Sequence, residues 1–149
     1  MRITTRGRYA LRASLALAKM GKTGALVSIN SISAAENLSP IFLEQIFFNL
    51  KKAGLVKSVR GPGGGFTFTQ PPENLNIREI LEAAGEVLTA GFCDKHSTKC
   101  DRISGCNSHK VWINLEKLIY EYFQNMTLSS LLEDNELVRD NLSNESSKK

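Results

Sequence analysis

Apolar residues recur with the period of an α-helix along the first fifty positions. In the segment 6–20 an apolar stripe predicts a first helix, capped by Thr4 or Thr5 and ended by Gly21, whose inward residues are Leu11, Leu15 and Ala18. A second helix is predicted from the cap Ser28 to Asn37, with three inward residues, Ile29, Ile32 and Ala35.

A third helix is predicted to begin at Ser39-Pro40 and to end before Gly54, with apolar residues at i, i+3, i+4 and i+7: Leu43, Ile46, Phe47 and Leu50. Two helices joined by so short a turn form a helix-turn-helix, although any helical hairpin gives a similar pattern.

The β-favouring segments 55–59 and 66–69 flank the glycine-rich segment 60–65. This arrangement predicts a hairpin that forms the wing of a DNA-binding domain. A nucleotide-binding loop is excluded because no Gly-Lys-Ser/Thr follows.

The rest of the chain predicts three more helices and a polar loop that carries all three cysteines. The predicted elements are a short helix over 76–84, the loop over 85–107, a long helix over 108–126 and a short helix from 127 to about 135. The apolar stripe of the long helix is wider than a small core requires, which favours a helix-helix dimer contact. The alternative is a helix folded back wholly on its own domain. The predicted fold class is mainly α with a small β-hairpin: a winged helix-turn-helix domain plus a long dimerisation helix.

Charge is distributed unevenly along the chain. Residues 1–65 hold ten Lys and Arg against two acidic residues, a net charge of +8, whereas residues 66–149 carry a net charge of −4. Positive potential is therefore concentrated on the predicted winged domain, which is typical of nucleic-acid binding, with an ordinary solvated surface as the alternative. Because no signal segment or membrane-spanning apolar run is evident, we expect a cytoplasmic protein with no membrane partner.

The outward side of the third helix carries side chains suited to reading bases in a major groove. Gln45 can bridge an adenine edge, Phe42 can contact a thymine methyl group, and Glu44 can accept from a cytosine amine. A solvent-exposed Glu44 without a DNA role is the alternative. Basic residues and glycine near the wing suit phosphates and the minor groove. We therefore predict a DNA operator with two half-sites, contacted by Ser28, Ser39, Phe42, Glu44, Gln45, Lys51, Lys57, Arg60 and Gly63.

Three thiols and one imidazole lie within one polar segment: Cys93, Cys100, Cys106 and His109. Thiolate sulfur and imidazole nitrogen are good donors to iron and zinc, so this segment predicts a metal or iron-sulfur site. A disulfide framework is disfavoured by the odd number of cysteines and the reducing compartment. Structural Zn²⁺ in a Cys₃His site is one alternative. An enzyme with an activated cysteine is another, disfavoured because no oriented Cys/His/acid set can be argued.

Several longer motifs occur in register: MRITTRGRYA at 1–10, LEQIF at 43–47, GLV at 54–56, SVRGPGGGF at 58–66 and the cysteine-histidine segment. On these motifs the chain resembles the iron-sulfur cluster regulator (IscR) family over roughly residues 1–135. The resemblance implies a homodimeric transcription factor that controls cluster-assembly genes, with cluster transfer from assembly scaffold proteins. It also implies a [2Fe-2S] cluster ligated by Cys93, Cys100, Cys106 and His109. Six residues separate Cys93 from Cys100, one more than in the family pattern.

The alternative within this reading is a winged-helix regulator with a structural zinc site or a redox-sensing thiol loop that holds no cluster. In either case we expect a regulator and not an enzyme. The predicted division of the chain is a winged domain at 1–72, a linking helix at 73–91, a cluster-binding loop at 92–109, a dimerisation helix with a short terminal helix at 108–135, and a disordered tail at 136–149.

Overall fold

The computed structural model describes residues 3–22, 24–89 and 105–133. Its α-helices are α1 (Thr5–Met20), α2 (Ile29–Glu36), α3 (Pro40–Lys52), α4 (Ile77–Ala83) and α5 (Asn107–Asn125), and its strands are β1 (Val56–Val59) and β2 (Gly65–Phe68). A 3₁₀ turn spans Pro72–Asn74, and residues 128–133 are helical. The predicted fold class is thereby confirmed. Most of the predicted cluster-binding loop and the predicted tail lie outside the described residues.

The buried side of α1 is built from small residues. Ala10 and Ala13 have no exposed surface and Leu17 has almost none, whereas Leu11 and Leu15 are half-buried at the edge of the core. The predicted stripe was therefore rotated from the true buried face, although Ala18 is buried as expected. Alanine in the centre of the contact lets α3 and α4 approach α1 closely, because a short side chain reduces the distance between helix axes.

The helix-turn-helix is formed by α2 and α3. Ser28 caps α2 by accepting from the Ser31 N–H at 3.0 Å, and Asn37 ends that helix with φ of 51°, in the left-handed region. The prediction that Ala35 faces inward was wrong, because this residue is exposed. Each i+3 step falls 60° short of a full turn, so two steps from Ile29 carry the stripe off the buried side.

The wing is an antiparallel hairpin that packs on the back of α3. Its strands pair from Val56 with Phe68 to Val59 with Gly65, and Val27 bridges Phe66 from the other side. A Cβ at position 65 would lie 2.5 Å from the Val27 carbonyl oxygen, so only glycine permits this close approach of two backbones. The rings of Phe47 and Phe66 lie 4.8 Å apart, which fixes the wing relative to α3.

Helix α5 is attached to the rest of the fold near its C-terminal end. The Ile77 N–H donates to the Met126 carbonyl at 2.9 Å, the Leu128 N–H donates to the Leu75 carbonyl at 2.8 Å, and Leu128 is fully buried. Arg78 of α4 donates to the Gln124 side chain and stacks over the ring of Tyr120, 4.9 Å from its centroid. No residue of α5 is fully buried, so this helix packs on the outside of the core.

Candidate DNA interface and cysteine-histidine segment

Helix α3 is anchored by one face and presents the other to solvent. Its four inward apolar residues have no exposed surface, as the spacing predicted: Leu43, Ile46, Phe47 and Leu50. The opposite side, which we call the reading face, consists of Ile41, Glu44, Gln45 and Phe48. Arg6 of α1 and Asn49 line the same shallow groove. A rigid helix with an outward polar and apolar face is the arrangement that enters a major groove.

The two aromatic residues of the outward half of α3 have different environments. Phe42 is half-buried, and its ring meets that of Tyr9 edge-to-face with centroids 5.7 Å apart. Phe48 is 66% exposed and was not among the predicted contacts. The signal that would have found it is its position seven residues after Ile41, which places both on one side of a helix. The thymine contact of Phe42 stays a prediction. The ring that would make this contact already packs against Tyr9 and the core.

The two serines predicted to contact DNA lie at helix starts. The Ser28 hydroxyl is occupied as the cap of α2 and also lies 2.8 Å from the Ser31 hydroxyl. Ser39 occupies the cap position of α3 but makes no side-chain capping bond, and it is exposed. The hydroxyl of Ser39 therefore has greater freedom to meet a phosphate than that of Ser28. Both contacts stay predictions.

The predicted backbone contacts surround the wing. Lys51, at the end of α3, donates to the Ser58 hydroxyl of β1 at 2.6 Å, which links the recognition helix to the hairpin. Lys57 and Arg60 are exposed on the wing. Gly63 has φ of +74°, a conformation that other residues rarely adopt, and its Cβ position faces open space. Lys57 lies next to Ser58 in β1 and therefore points to the opposite face of the hairpin, so Lys51 and Lys57 do not share one face of the wing, and all four DNA contacts stay predictions.

A buried carboxylate at the start of α1 was missed by sequence reasoning. Glu86 is only 6% exposed, and its oxygens accept from the Thr4 N–H at 3.0 Å, the Gly7 N–H at 3.0 Å and the Thr4 hydroxyl. We call this arrangement the Glu86 cap. A Cβ at position 7 would lie 2.6 Å from Glu86 Cγ, so the carboxylate needs glycine there. No local pattern marks the cap because its partners are about eighty residues apart in sequence.

The Glu86 cap holds its carboxylate ionised. Burial alone would raise the pKa of Glu86, but the hydrogen bonds from Thr4 and Gly7, with the charge of Arg6, together lower that pKa below its ordinary value. The carboxylate also lies against the positive end of the α1 dipole. The cap therefore stabilises the first turn of α1, which carries Arg6 to the groove beside the reading face.

Two of the four predicted metal ligands lie within the described residues. Cys106 occupies the cap position of α5, with its sulfur 3.0 Å from the Ser108 hydroxyl, and His109 follows one turn later. His109 Nδ1 is buried and has no hydrogen-bond partner among the described residues. Cys93 and Cys100 lie outside them, and within 3–22, 24–89 and 105–133 no three His, Cys, Asp or Glu side chains group closely enough to hold a metal.

A buried imidazole nitrogen without a partner is costly unless something binds it, so His109 fits the role of a ligand. Its i, i+3 relation to Cys106 places both donors on one side of the first turn of α5. A thiolate there would also lie near the positive end of a helix dipole, which favours the deprotonated form that binds metals. The donor chemistry of these two residues is therefore compatible with an iron-sulfur or zinc site.

The outward face of α5 is apolar. Its exposed residues recur at i, i+4, i+7 and i+11: Val111, Leu115, Leu118 and Tyr122. Leu118 and Tyr122 are more than half exposed. In the described part of the chain, no helix is long and apolar enough to cross a membrane. Exposed apolar surface of this extent is common at protein-protein contacts, and the dimer contact predicted for this helix stays a prediction.

The model of one family, Rrf2, an iron-dependent transcriptional regulator, matches residues 3–134. The chain belongs to the Rrf2 family. The winged helix-turn-helix is accordingly that of a DNA-binding transcriptional regulator, and the contacts of the outward face of α3 with DNA stay predictions. The relatives are regulators and not enzymes, which confirms that expectation.

Individual relatives agree with this assignment. The chain is 43% identical over 133 residues to a helix-turn-helix transcriptional regulator of Neisseria meningitidis serogroup A, covering 89% of this chain and 88% of that one. It is 36% identical over 138 residues to the regulator IscR of Vibrio campbellii, covering 93% of this chain and 81% of that one. The solved structure of CymR, the global cysteine regulator of B. subtilis, matches with a TM-score of 0.74 and 28% identity over 89% of this chain and 97% of that one. The resemblance to IscR-type regulators is thereby confirmed.

Proposed function

We propose that this Rrf2 regulator senses iron-sulfur cluster status through a [2Fe-2S] cluster held by Cys93, Cys100, Cys106 and His109, and that it controls cluster-assembly genes as a homodimer. The observation that carries the proposal is the buried Nδ1 of His109, one turn after Cys106, which has no hydrogen-bond partner in the part of the chain that the structure describes. The similarity to IscR supports the same ligand set. Scaffold proteins of cluster assembly would deliver the cluster.

A bound cluster would supply a redox couple and a charge that changes with its oxidation state. The occupancy of the site would depend on the supply of clusters. The chain's own contribution is positional, since Cys106 and His109 stand in the first turn of α5. Any ligand they hold is attached to the helix whose outward face is apolar. Because α5 is joined to α4 through Arg78, that attachment reaches the core of the winged domain.

A cluster-free regulator is the second candidate. Its support is the likeness to CymR, named as a regulator of cysteine, together with cysteines that can be oxidised or bind zinc. The buried nitrogen of His109 favours a bound metal over thiol chemistry alone, because a metal would bind an atom that has no partner among the described residues.

The cluster is tested by anaerobic purification followed by iron and sulfide analysis and a visible spectrum. We expect a coloured protein with two iron and two sulfide ions per chain, as a [2Fe-2S] cluster requires. A colourless protein that contains zinc, or no metal after reconstitution, would contradict the proposal.

His96 is the other histidine of the chain and the alternative ligand to His109, so the choice of histidine is tested by two matched variants. His109→Ala should lose the visible absorption or change its position and stability, whereas His96→Ala should keep the wild-type spectrum. If His96→Ala alone loses the cluster, the ligand assignment is wrong. Spectra are recorded at equal protein concentration, with circular dichroism to confirm that both variants fold.

Dimerisation through α5 is supported by its apolar outward face, which is continuous over three turns. Leu118→Glu places a charge at the centre of that face and should yield monomers, because an unpaired charge at an apolar contact is strongly unfavourable. Lys117→Glu changes charge on a neighbouring, exposed position and is the matched control. Sedimentation equilibrium measures both. A wild-type monomer, or a dimer that survives Leu118→Glu, would overturn the assignment.

Regulation requires that the two states of the sensor differ in DNA affinity. We expect cluster-loaded and cluster-free protein to prefer different sites on the same genomic DNA. Footprinting of both preparations on one set of promoter fragments is the measurement. Equal affinity at every fragment would exclude cluster status as the signal, while leaving DNA binding itself established.

A further inference from the structure

Two large apolar side chains stay exposed on the reading face. Ile41 is 71% exposed and Phe48 is 66% exposed, although the same helix buries four apolar residues completely. Their immediate neighbours in the groove are polar or charged: Arg6, Glu44, Gln45 and Asn49. Scattered exposed apolar residues are ordinary on protein surfaces, but these two lie on the surface that meets DNA.

The spacing of the two residues has a simple relation to DNA. They are seven positions apart, which is two helical turns or about 10 Å along the axis of α3. Successive bases of a strand are separated by about 3.4 Å along the duplex, so the two side chains are about three base steps apart. Glu44 and Gln45 lie about one turn from each of them and are exposed between them.

We propose that Ile41 and Phe48 each contact the 5-methyl group of a thymine in the major groove, at two positions about three base steps apart within each half-site. Thymine is the base that presents a methyl group in the major groove, and apolar side chains discriminate it by contact. Glu44 and Gln45 then read hydrogen-bonding edges between the two methyl groups. The occupant of this apolar surface is therefore DNA, and not a second protein.

The proposal rests on α3 entering a major groove, and its test separates the two claims. Duplexes are selected from a randomised library by the wild-type protein and resynthesised with deoxyuridine in place of one thymine at a time, on both strands. Deoxyuridine keeps every hydrogen-bonding group and lacks the methyl group. Dissociation constants are measured by fluorescence anisotropy.

We expect deoxyuridine to lower wild-type affinity about fourfold at each of two thymines per half-site. A fall of this size corresponds to the free energy lost when one methyl carbon is no longer buried. Phe48→Ser should abolish the deoxyuridine effect at one of them and Ile41→Ser at the other. Neither substitution should change the dependence of affinity on salt, because neither residue contacts phosphate. Met20→Gln, which replaces another exposed apolar side chain outside α3, should behave as wild type.

Two results would overturn the proposal: no thymine whose methyl group matters to the wild-type protein, or a deoxyuridine effect that persists unchanged in both serine variants. Loss of self-association in Phe48→Ser, with its deoxyuridine effects unchanged, would assign this surface to protein contact instead. A wild-type protein that selects no duplex at all would overturn DNA binding through α3 along with this proposal.

Discussion

Replacing the buried carboxylate of the Glu86 cap with an amide tests how the segment after α4 is joined to the first turn of α1. Glu86→Gln keeps the size of the side chain and one acceptor oxygen. It removes the charge and turns an NH₂ group towards the N–H and hydroxyl donors of Thr4 and Gly7. Glu73→Gln changes an exposed carboxylate on the 3₁₀ turn and is the matched control.

The expected loss of stability follows from the hydrogen bonds that Glu86→Gln removes or weakens. Hydrogen bonds to a charged group contribute about 1.5–3 kcal/mol each, and an unsatisfied buried donor costs about 1–3 kcal/mol. At least one of the three bonds to Glu86 is lost outright and the others become bonds to a neutral acceptor. We therefore expect Glu86→Gln to lower the free energy of unfolding by about 2–4 kcal/mol at pH 7.

The way in which the stability difference changes with pH shows whether the charge of Glu86 is responsible for it. Because the folded-state pKa of Glu86 is lowered, its stabilising contribution is complete above the unfolded pKa and is lost as pH falls through the folded pKa. The difference in stability between wild type and Glu86→Gln should therefore be largest at neutral pH and should shrink in acid. Urea unfolding followed by circular dichroism, at one protein concentration from about pH 7 to pH 3, measures it.

Two outcomes would refute this reasoning. Glu86→Gln as stable as wild type at neutral pH would mean that the cap contributes nothing. A large loss of stability that is the same at every pH would mean that packing, and not the ionised carboxylate, is what the substitution disturbs. Glu73→Gln should leave stability within about 0.5 kcal/mol of wild type, as surface substitutions usually do.

Further predictions concern the DNA interface and the wing. Glu44→Ala should broaden binding across a panel of half-site sequences, because an acid in the groove excludes wrong bases; a uniform loss of affinity at all sites would contradict this role. Arg60→Ala should weaken binding similarly at all sequences and reduce the slope of log affinity against log salt by about one per contact, measured by anisotropy titrations at several salt concentrations. Gly65→Ala should lower stability by about 1–3 kcal/mol in urea unfolding, because its Cβ would lie 2.5 Å from the Val27 carbonyl oxygen; an unchanged midpoint would show that the wing shifts freely.

The elements that were predicted correctly are those whose cause is local. The cap at Ser28, the left-handed turn at Asn37 and the proline at the first position of α3 act within a few residues, so their signals are present in any short window of the chain. The glycine-rich wing is equally local, since backbone conformation at Gly63 depends on the absence of its own side chain. The buried face of α3 followed directly from its apolar spacing.

The errors and omissions arose where a neighbour in space decides the environment. Ala35 has the i+3 spacing of a buried residue, yet two such steps from Ile29 turn it about 120° away from the buried side of α2. Phe42 and Phe48 are both aromatic residues on α3, and only the position of Tyr9 on α1 decides which ring is held and which is exposed. The metal site was inferred from donor types, and the structure adds the burial of His109 Nδ1.

By itself the sequence determined the secondary structure, the winged arrangement and the types of donor atom in the cysteine-histidine segment, because helical periodicity, turn residues and donor atoms are properties of short stretches of chain. Tertiary structure alone decided that Phe42 packs against Tyr9 whereas Phe48 stays exposed, that the stripe of α5 stays exposed in this chain, and that Glu86 closes the first turn of α1. These depend on contacts between residues as many as 82 positions apart, as between Thr4 and Glu86, and such contacts exist only once the core has brought distant segments together.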